Sequence, residues 1–258
     1  IDHFTFARAL LANFASPDSE LRDELSYRVF TGAIIEKQRL SPAQLQELLT
    51  TALDKEHLFY RIGETGADSV FMRSFSSLVV ASILYVDAQK PALPAEIIRR
   101  TKDALLLYAR QEKDWRGYVK DKGWAHAMAH LADALDGCAQ HSATTTAERK
   151  EILTLLRELA TINEPLYHEE DVRLALVAYH IILGKQVADE LITSWIDSCY
   201  VPSGDSDFTP RETNSKNFLR SLYFYLLWDN MALSVAERIS DLLLKKDGIY
   251  LGKGAESE

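Results

Sequence analysis

The sequence is poor in the residues that break or cross-link a chain. Its 258 residues include 11 glycines, 7 prolines and 2 cysteines. So few glycines and prolines leave little room for the frequent turns of an all-β protein, and no convincing run of alternating strand residues is present. Cys138 and Cys199 lack a metal-ligand spacing such as C-x-x-C and read as buried free thiols in a reducing compartment. A chain of this length buries enough apolar surface to fold without disulfides. Positive charge is also scarce: 29 Lys and Arg stand against 38 Asp and Glu, a net charge of −9. No polybasic run exists, which argues against a nucleic-acid partner. The longest apolar run, "SSLVVASILYV" at 76–86, is interrupted and shorter than the roughly 20 residues of a membrane span, so no membrane partner is expected. The N-terminus, "IDHFTFARALL", lacks the pattern of a signal peptide, which points to a cytoplasmic location. GxGxxG, P-loop, GxSxG, kinase and zinc-ribbon signatures are all missing, so no cofactor is expected.

What the sequence does contain is helical periodicity. "SPDSELRDELSYRVFTGAIIE" opens at Ser16-Pro17 and sets Leu21, Leu25, Val29, Phe30 and Ile34 on one face of an α-helix. "SPAQLQELLTTAL" opens in the same way at Ser41-Pro42. Thr145 and Glu148 have the spacing of a capping box. The helices group into five hairpin-like pairs, roughly 18–54, 66–111, 124–163, 169–199 and 216–247. These are the size of HEAT or armadillo units, without a residue-level repeat. The expected fold is all-α: one domain over 1–258, built as a HEAT/armadillo-like α-α superhelix, with a compact α bundle or α/α toroid as the alternative. The polar stretch 201–216 reads as a long loop and 252–258 as a frayed tail.

The stretch "DKGWAHAMAHLADALDGC" (121–138) carries the main chemical signal. Read as one helix at about 100° per residue, His130 lies about 40° and Asp133 about 20° from His126, so the three share a stripe. That stripe lacks the long charged side chains of a solvent face, and alanines flank it. Three readings follow. The two histidines with Asp133 match a zinc site; a His–Asp pair suits acid–base work; or all three are hydrogen-bonded packing groups. The connector before it, "QEKDWRGYVKDKGW" (111–124), offers Glu112, Asp114, Arg116 and Tyr118 as ligand-orienting groups between Trp115 and Trp124. Alternatively, Arg116 pairs with Glu112 or Asp114.

Arg73, Arg173 and Arg220 stand inside apolar helical segments. A buried guanidinium needs a partner: an internal carboxylate such as Glu112, Asp114, Asp133, Glu170 or Asp171, carbonyls at a helix end, or a bound anion. "HEED" (168–171) reads as first-turn helix acids, "RDEL" (22–25) as surface charge, and Tyr223, Phe224, Tyr225 and Trp228 as core.

Together, "SPDSELRDELSY", "RSFSSLVVASIL", "EKDWRGYVKDKGWAHAMAHLADAL" and "FLRSLYFYL" resemble a bacterial family defined only as domain of unknown function 2785. Arg116, Gly117, Gly123, Trp124, His126, His130 and Asp133 match its most specific block, and Arg73 and Arg220 its flanking blocks. The resemblance implies a small all-helical bacterial protein and supplies no reaction. The functional expectation rests on the residues: a binding module for a small anionic ligand or a protein partner. Its pocket would draw on Arg73, Glu112, Asp114, Arg116, Trp124, His126, His130, Asp133, Arg173 and Arg220. The alternative is a metal-dependent or His-based acid–base hydrolase acting on a small anionic substrate.

Overall fold

A computed structural model describes residues 2–202 and 209–248. Among these residues the fold is all-α apart from one two-residue hairpin. The elements are α1 (His3–Leu11), a 3₁₀ turn (Ala12–Ala15), two π-helical segments (Glu20–Tyr27 and Phe30–Ile35), α2 (Pro42–Ala52), α3 (Ser69–Gln89), α4 (Ala95–Gln111), β1 (Tyr118–Val119), β2 (Gly123–Trp124), α5 (Ala127–Gln140), α6 (Thr146–Ala160), α7 (Glu170–Leu183), α8 (Asp189–Cys199), α9 (Pro210–Trp228) and α10 (Leu233–Asp247). The chain divides into two compact units, 1–148 and 149–258. The division falls in the first turn of α6, where no change of composition marks it.

Side-chain caps set several helix starts. Ser41 and Gln44 form a reciprocal capping box with Pro42 in the first turn. Thr145 and Glu148 do the same ahead of α6. At α9 the Thr209 side chain caps the Glu212 amide and Pro210 opens the helix. The polar run 210–216 is therefore helix rather than loop, and a cap-plus-proline start explains the difference. Residues 203–208 of the expected loop and the expected tail at 252–258 lie outside the described residues.

The first helical region differs most from its 3.6-residue reading. Residues 20–35 are wound largely as π-helix, with amide-to-carbonyl bonds five residues apart, as from Arg28 to Asp23 and from Glu36 to Thr31. The buried set recurs every four residues, at Arg22, Ser26, Phe30 and Ile34. The wider winding turns Leu25 out, at 56% exposed, and Arg22 in, at 0%. Arg22 is thus a core residue, not surface charge.

In the first unit α3 and α5 pack most closely and run parallel. Ser74 meets Ala125 and His130 at one end, and Leu84 meets Gly137 one turn before Asp87 meets His141 at the other end. A Cβ on Gly137 would stand 2.9 Å from Leu84 Cβ, so its absence sets the interhelical approach. α3 is long and apolar enough to cross a membrane, longer than the 76–86 run suggested, yet 83% of its most apolar window is buried in the fold. In the second unit α7 and α9 also run parallel, joined by Asp171–Ser221 and by Tyr179 with Tyr225 and Asp229. The tightest packing therefore joins helices two apart in sequence, not the consecutive pairs read from the sequence.

Both cysteines are buried free thiols. Burial pushes the Cys138 thiol up to about 12 and raises that of Cys199 as well. The neutral thiol is the form favoured by folding, so this contribution is complete below about pH 9 and is lost as pH climbs from there toward about 12. A disulfide-exchange reagent at pH 8 should find no thiol among these two in native protein and both after denaturation. Rapid labelling of either in the native state would contradict this burial.

Candidate functional site

The first unit holds two buried arginine clamps and, beside Asp133, a groove. In the first clamp, Arg73 on α3 is fully buried and every donor on its guanidinium is used. Nε and Nη2 bind the two oxygens of Glu112 at 2.6 and 2.9 Å, and Nη2 also donates to the Glu64 carbonyl at 3.2 Å. Nη1 donates to the Tyr60 carbonyl and to Ser69 Oγ at 3.1 and 3.0 Å. Glu112 Oε1 accepts the Lys113 and Asp114 amides as well. Burial works against the charge on Arg73, but the hydrogen bonds and charge of Glu112 outweigh it and raise its pKa. Beside this pair the Tyr108 hydroxyl is buried near Glu112; burial, then the negative charge of Glu112, pushes its pKa well above the ordinary value.

Two residues on, Asp114 accepts from Arg116 Nε and Nη2, both at 2.7 Å, and from the Gly66 amide at 2.9 Å. Arg116 also holds the Ala67 carbonyl. The 112–116 connector is a tied joint between α4, the 60–67 segment and the hairpin.

The second clamp is Arg22. It reaches Asp23, the Ser16 carbonyl and the Lys122 carbonyl, at 2.7, 2.9 and 2.9 Å. Its guanidinium lies 4.1 Å from the Phe71 ring centroid. It holds the hairpin in which Tyr118 pairs with Trp124 and Val119 with Gly123. Trp115 and Val119 pack beneath, against Val70, Phe71, Ala125 and Ala127.

The hairpin changes the histidine motif. Trp124 is in β2, and α5 begins only at Ala127, after His126 in a left-handed conformation (φ 48°). His126 thus precedes the helix, and the single stripe of His126, His130 and Asp133 does not form. The Trp124 and His126 rings lie 4.1 Å apart at a tilt of 32°, and the His126 and His130 rings meet edge to face at 5.8 Å. Ser74 Oγ donates to the Ala125 carbonyl and lies 2.6 Å from His130 Nδ1. Its one proton is committed to the carbonyl, so His130 donates to Ser74 rather than activating it. Among the described residues no group of three His, Cys, Asp or Glu side chains is placed to hold a metal ion.

Asp133 opens elsewhere, into a groove of about 520 Å³ between the π-helical segment, α3 and α5. Tyr27, Tyr85, Glu36, Asp133, Asp136 and Gln140 line its polar parts, and Leu78, Leu84 and Val86 its apolar parts. Tyr27 and Ser82 hydroxyls meet across it at 3.2 Å. Among the described residues no Lys, Arg or His lines it. Below its end the Ala143 amide donates to His141 Nδ1, so the ring proton sits on Nε2 and is donated to Asp87 at 3.0 Å. This buried pair ties the ends of α3 and α5.

Arg173 and Arg220 belong to the second unit and both are exposed. Arg220 pairs with Asp247 at 2.6 Å, outside the carboxylates anticipated for it. Glu170, of the "HEED" turn, is buried and accepts the His168 amide, a structural role. Tyr223, Phe224, Tyr225 and Trp228 are not core: α9 buries Ser215, Phe218, Leu219, Leu222 and Leu226, and the aromatics fall on its flank. Sequence reading therefore missed Arg22, Tyr27, Tyr85, Asp87, Asp136 and His141. Asp87, inside an apolar run, and Asp136, one turn beyond Asp133, were the visible signals.

No curated protein and no solved structure matches this sequence. A family model described as "Protein of unknown function (DUF2785)" matches residues 58–224, more than half of the chain and the whole span from Arg73 to Arg220. The chain belongs to the DUF2785 family.

Proposed function

We propose that the first unit is a binding module whose site is the groove beside Asp133, and that its ligand is an organic cation with an apolar body. The observation that carries this reading is the lining: three carboxylates, Glu36, Asp133 and Asp136, beside the tyrosines Tyr27 and Tyr85, with apolar side chains between. A carboxylate cluster in a partly apolar cleft favours an amine or guanidinium, by charge and by cation–π contact with the phenol rings. The arginines that suggested an anionic ligand are engaged: Arg73 has no donor left, and Arg116 is bound to Asp114 and Ala67. A hydrolase centred on His130 is disfavoured, because His130 and Ser74 are buried and Ser74 has already given its proton to a carbonyl.

Thermal melting with spermidine, cadaverine and agmatine tests the reading. A ligand at about 100 times its Kd stabilises by about 2.7 kcal/mol, a rise of several degrees in Tm. Asp133→Asn with Asp136→Asn should abolish the rise. Equal ionic strength from potassium chloride, and succinate as an anionic probe, should give none. A wild-type protein unmoved by all three amines, or moved equally by succinate, would sink the proposal.

A further inference from the structure

We propose that the second unit carries a separate saccharide-binding trough along the side of α9 that faces α7. A hollow of about 340 Å³ is lined there by Asn217, Arg220, Phe224, Tyr225 and Trp228 of α9 and by Asp171 of α7. Asn217, Arg220, Phe224 and Trp228 recur at spacings of three and four and share one helical face, with Tyr225 at its edge. It adjoins a second hollow, of about 590 Å³, through Asp171 and Asn217, which line both.

The aromatic part is open. Trp228 is 72% and Phe224 44% exposed. Their rings stack at 5.6 Å with an interplanar angle of 29°, and Tyr225 meets Trp228 at 6.2 Å. Exposed aromatic faces grouped this way mark a recognition surface rather than scattered surface apolarity.

The polar part keeps hydrogen-bonding capacity in reserve. Ser221 uses Asp171 Oδ2, which leaves Oδ1 open. Arg220 gives Nη2 to Asp247, leaving Nε and Nη1. The Asn217 amide makes no hydrogen bond to any described residue. Asp171 and Asp247 stand against Arg220, so charge of both signs is present and neither a simple anion nor a simple cation is favoured.

A pyranose ring fits both halves. One face of the ring is C–H and lies flat on an indole or phenyl face. Its rim of neighbouring hydroxyls is read in pairs by planar carboxylate, amide and guanidinium groups. An extended peptide would instead draw on free backbone donors and acceptors, and those of α7 and α9 are engaged within their helices.

The test uses saturation-transfer NMR on the full chain with malto-, cello- and chito-oligosaccharides at millimolar concentration. At least one series should receive saturation. Trp228→Ala and Asn217→Ala should each weaken binding at least about tenfold while melting as the wild type does, since both side chains lie at the surface. The proposal is overturned if no oligosaccharide receives saturation from the wild type. It is equally overturned if binding survives both variants, or if a leucine- and phenylalanine-rich peptide, and no sugar, is lost in them. The amine site lies in the other unit, on other residues, so either site can fail without the other.

Discussion

Arg73→Met is expected to destabilise the first unit by about 3–5 kcal/mol, the range for removing one partner of a buried ion pair. Against a total stability of about 5–15 kcal/mol, that is enough to bring the urea midpoint close to zero in a marginal fold. The physical reason is what remains behind. Methionine fills most of the volume but leaves Glu112 buried without its counter-ion, and leaves the carbonyls of Tyr60 and Glu64 without their donor. Removing an acceptor's partner costs more than the net worth of the bond. Arg73→Met combined with Glu112→Leu should therefore lose less than the sum of the two single variants, and should recover part of the single-variant loss. Arg73→Lys should not rescue, since one ammonium cannot serve two carboxylate oxygens, a hydroxyl and two carbonyls in the fork geometry. Urea denaturation followed by far-UV circular dichroism reads all four proteins. A single variant within about 1 kcal/mol of wild type would show that this clamp is not what holds the 60–67 segment and the end of α4 to α3.

Gly123→Ala should rank second, at about 2–5 kcal/mol. Two independent costs add there. Gly123 has φ +80°, a region in which a Cβ is strained by about 1–2 kcal/mol. The new Cβ would also stand 2.9 Å from Ser19 Cβ and 3.3 Å from Arg22 Nη2, and overpacking of this kind costs about 1–3 kcal/mol. Gly66→Ala is the control. Gly66 has a similar φ of +74° with nothing within 4 Å of the added carbon, so it should show the backbone strain alone. The difference between the two variants measures how closely the hairpin is held against the π-helical segment by Arg22. Equal losses would mean that the close approach does not exist in solution.

These residues show how far a sequence reading reaches. Arg116 with Asp114 was legible because the partners are two residues apart. That Arg73 needs a partner was legible from burial cost, and Glu112 was among the carboxylates able to supply it. Arg22 was not legible. It sits beside Asp23 and Glu24 in a run that looks solvated, and only the π winding turns it inward, onto partners as far as 100 residues away. The histidine stripe failed for a local reason: a two-stranded turn takes Trp124 out of the helix, and His126 adopts a left-handed conformation that ends the 3.6-residue register before it starts. Asp133 was identified as a site residue by an angular count that included His126, yet the groove it lines is built with Tyr27 and Tyr85, which carry no sequence signal of their own.

By itself the sequence determined an all-α chain, the positions of most helix starts, two buried thiols and an acidic surface. Each of those follows from nearest neighbours along the chain: caps, prolines, periodicity and composition. Only the tertiary structure decided that the strongest packing joins parallel helices two apart, that Arg73 and Arg22 are buried and tied to partners inside the first unit, and that Phe224 and Trp228 of α9 face outward. Those outcomes depend on which surfaces meet across tens of residues, where a guanidinium or a tyrosine has many acceptable partners and the packing of α3 against α5, or of α7 against α9, selects among them.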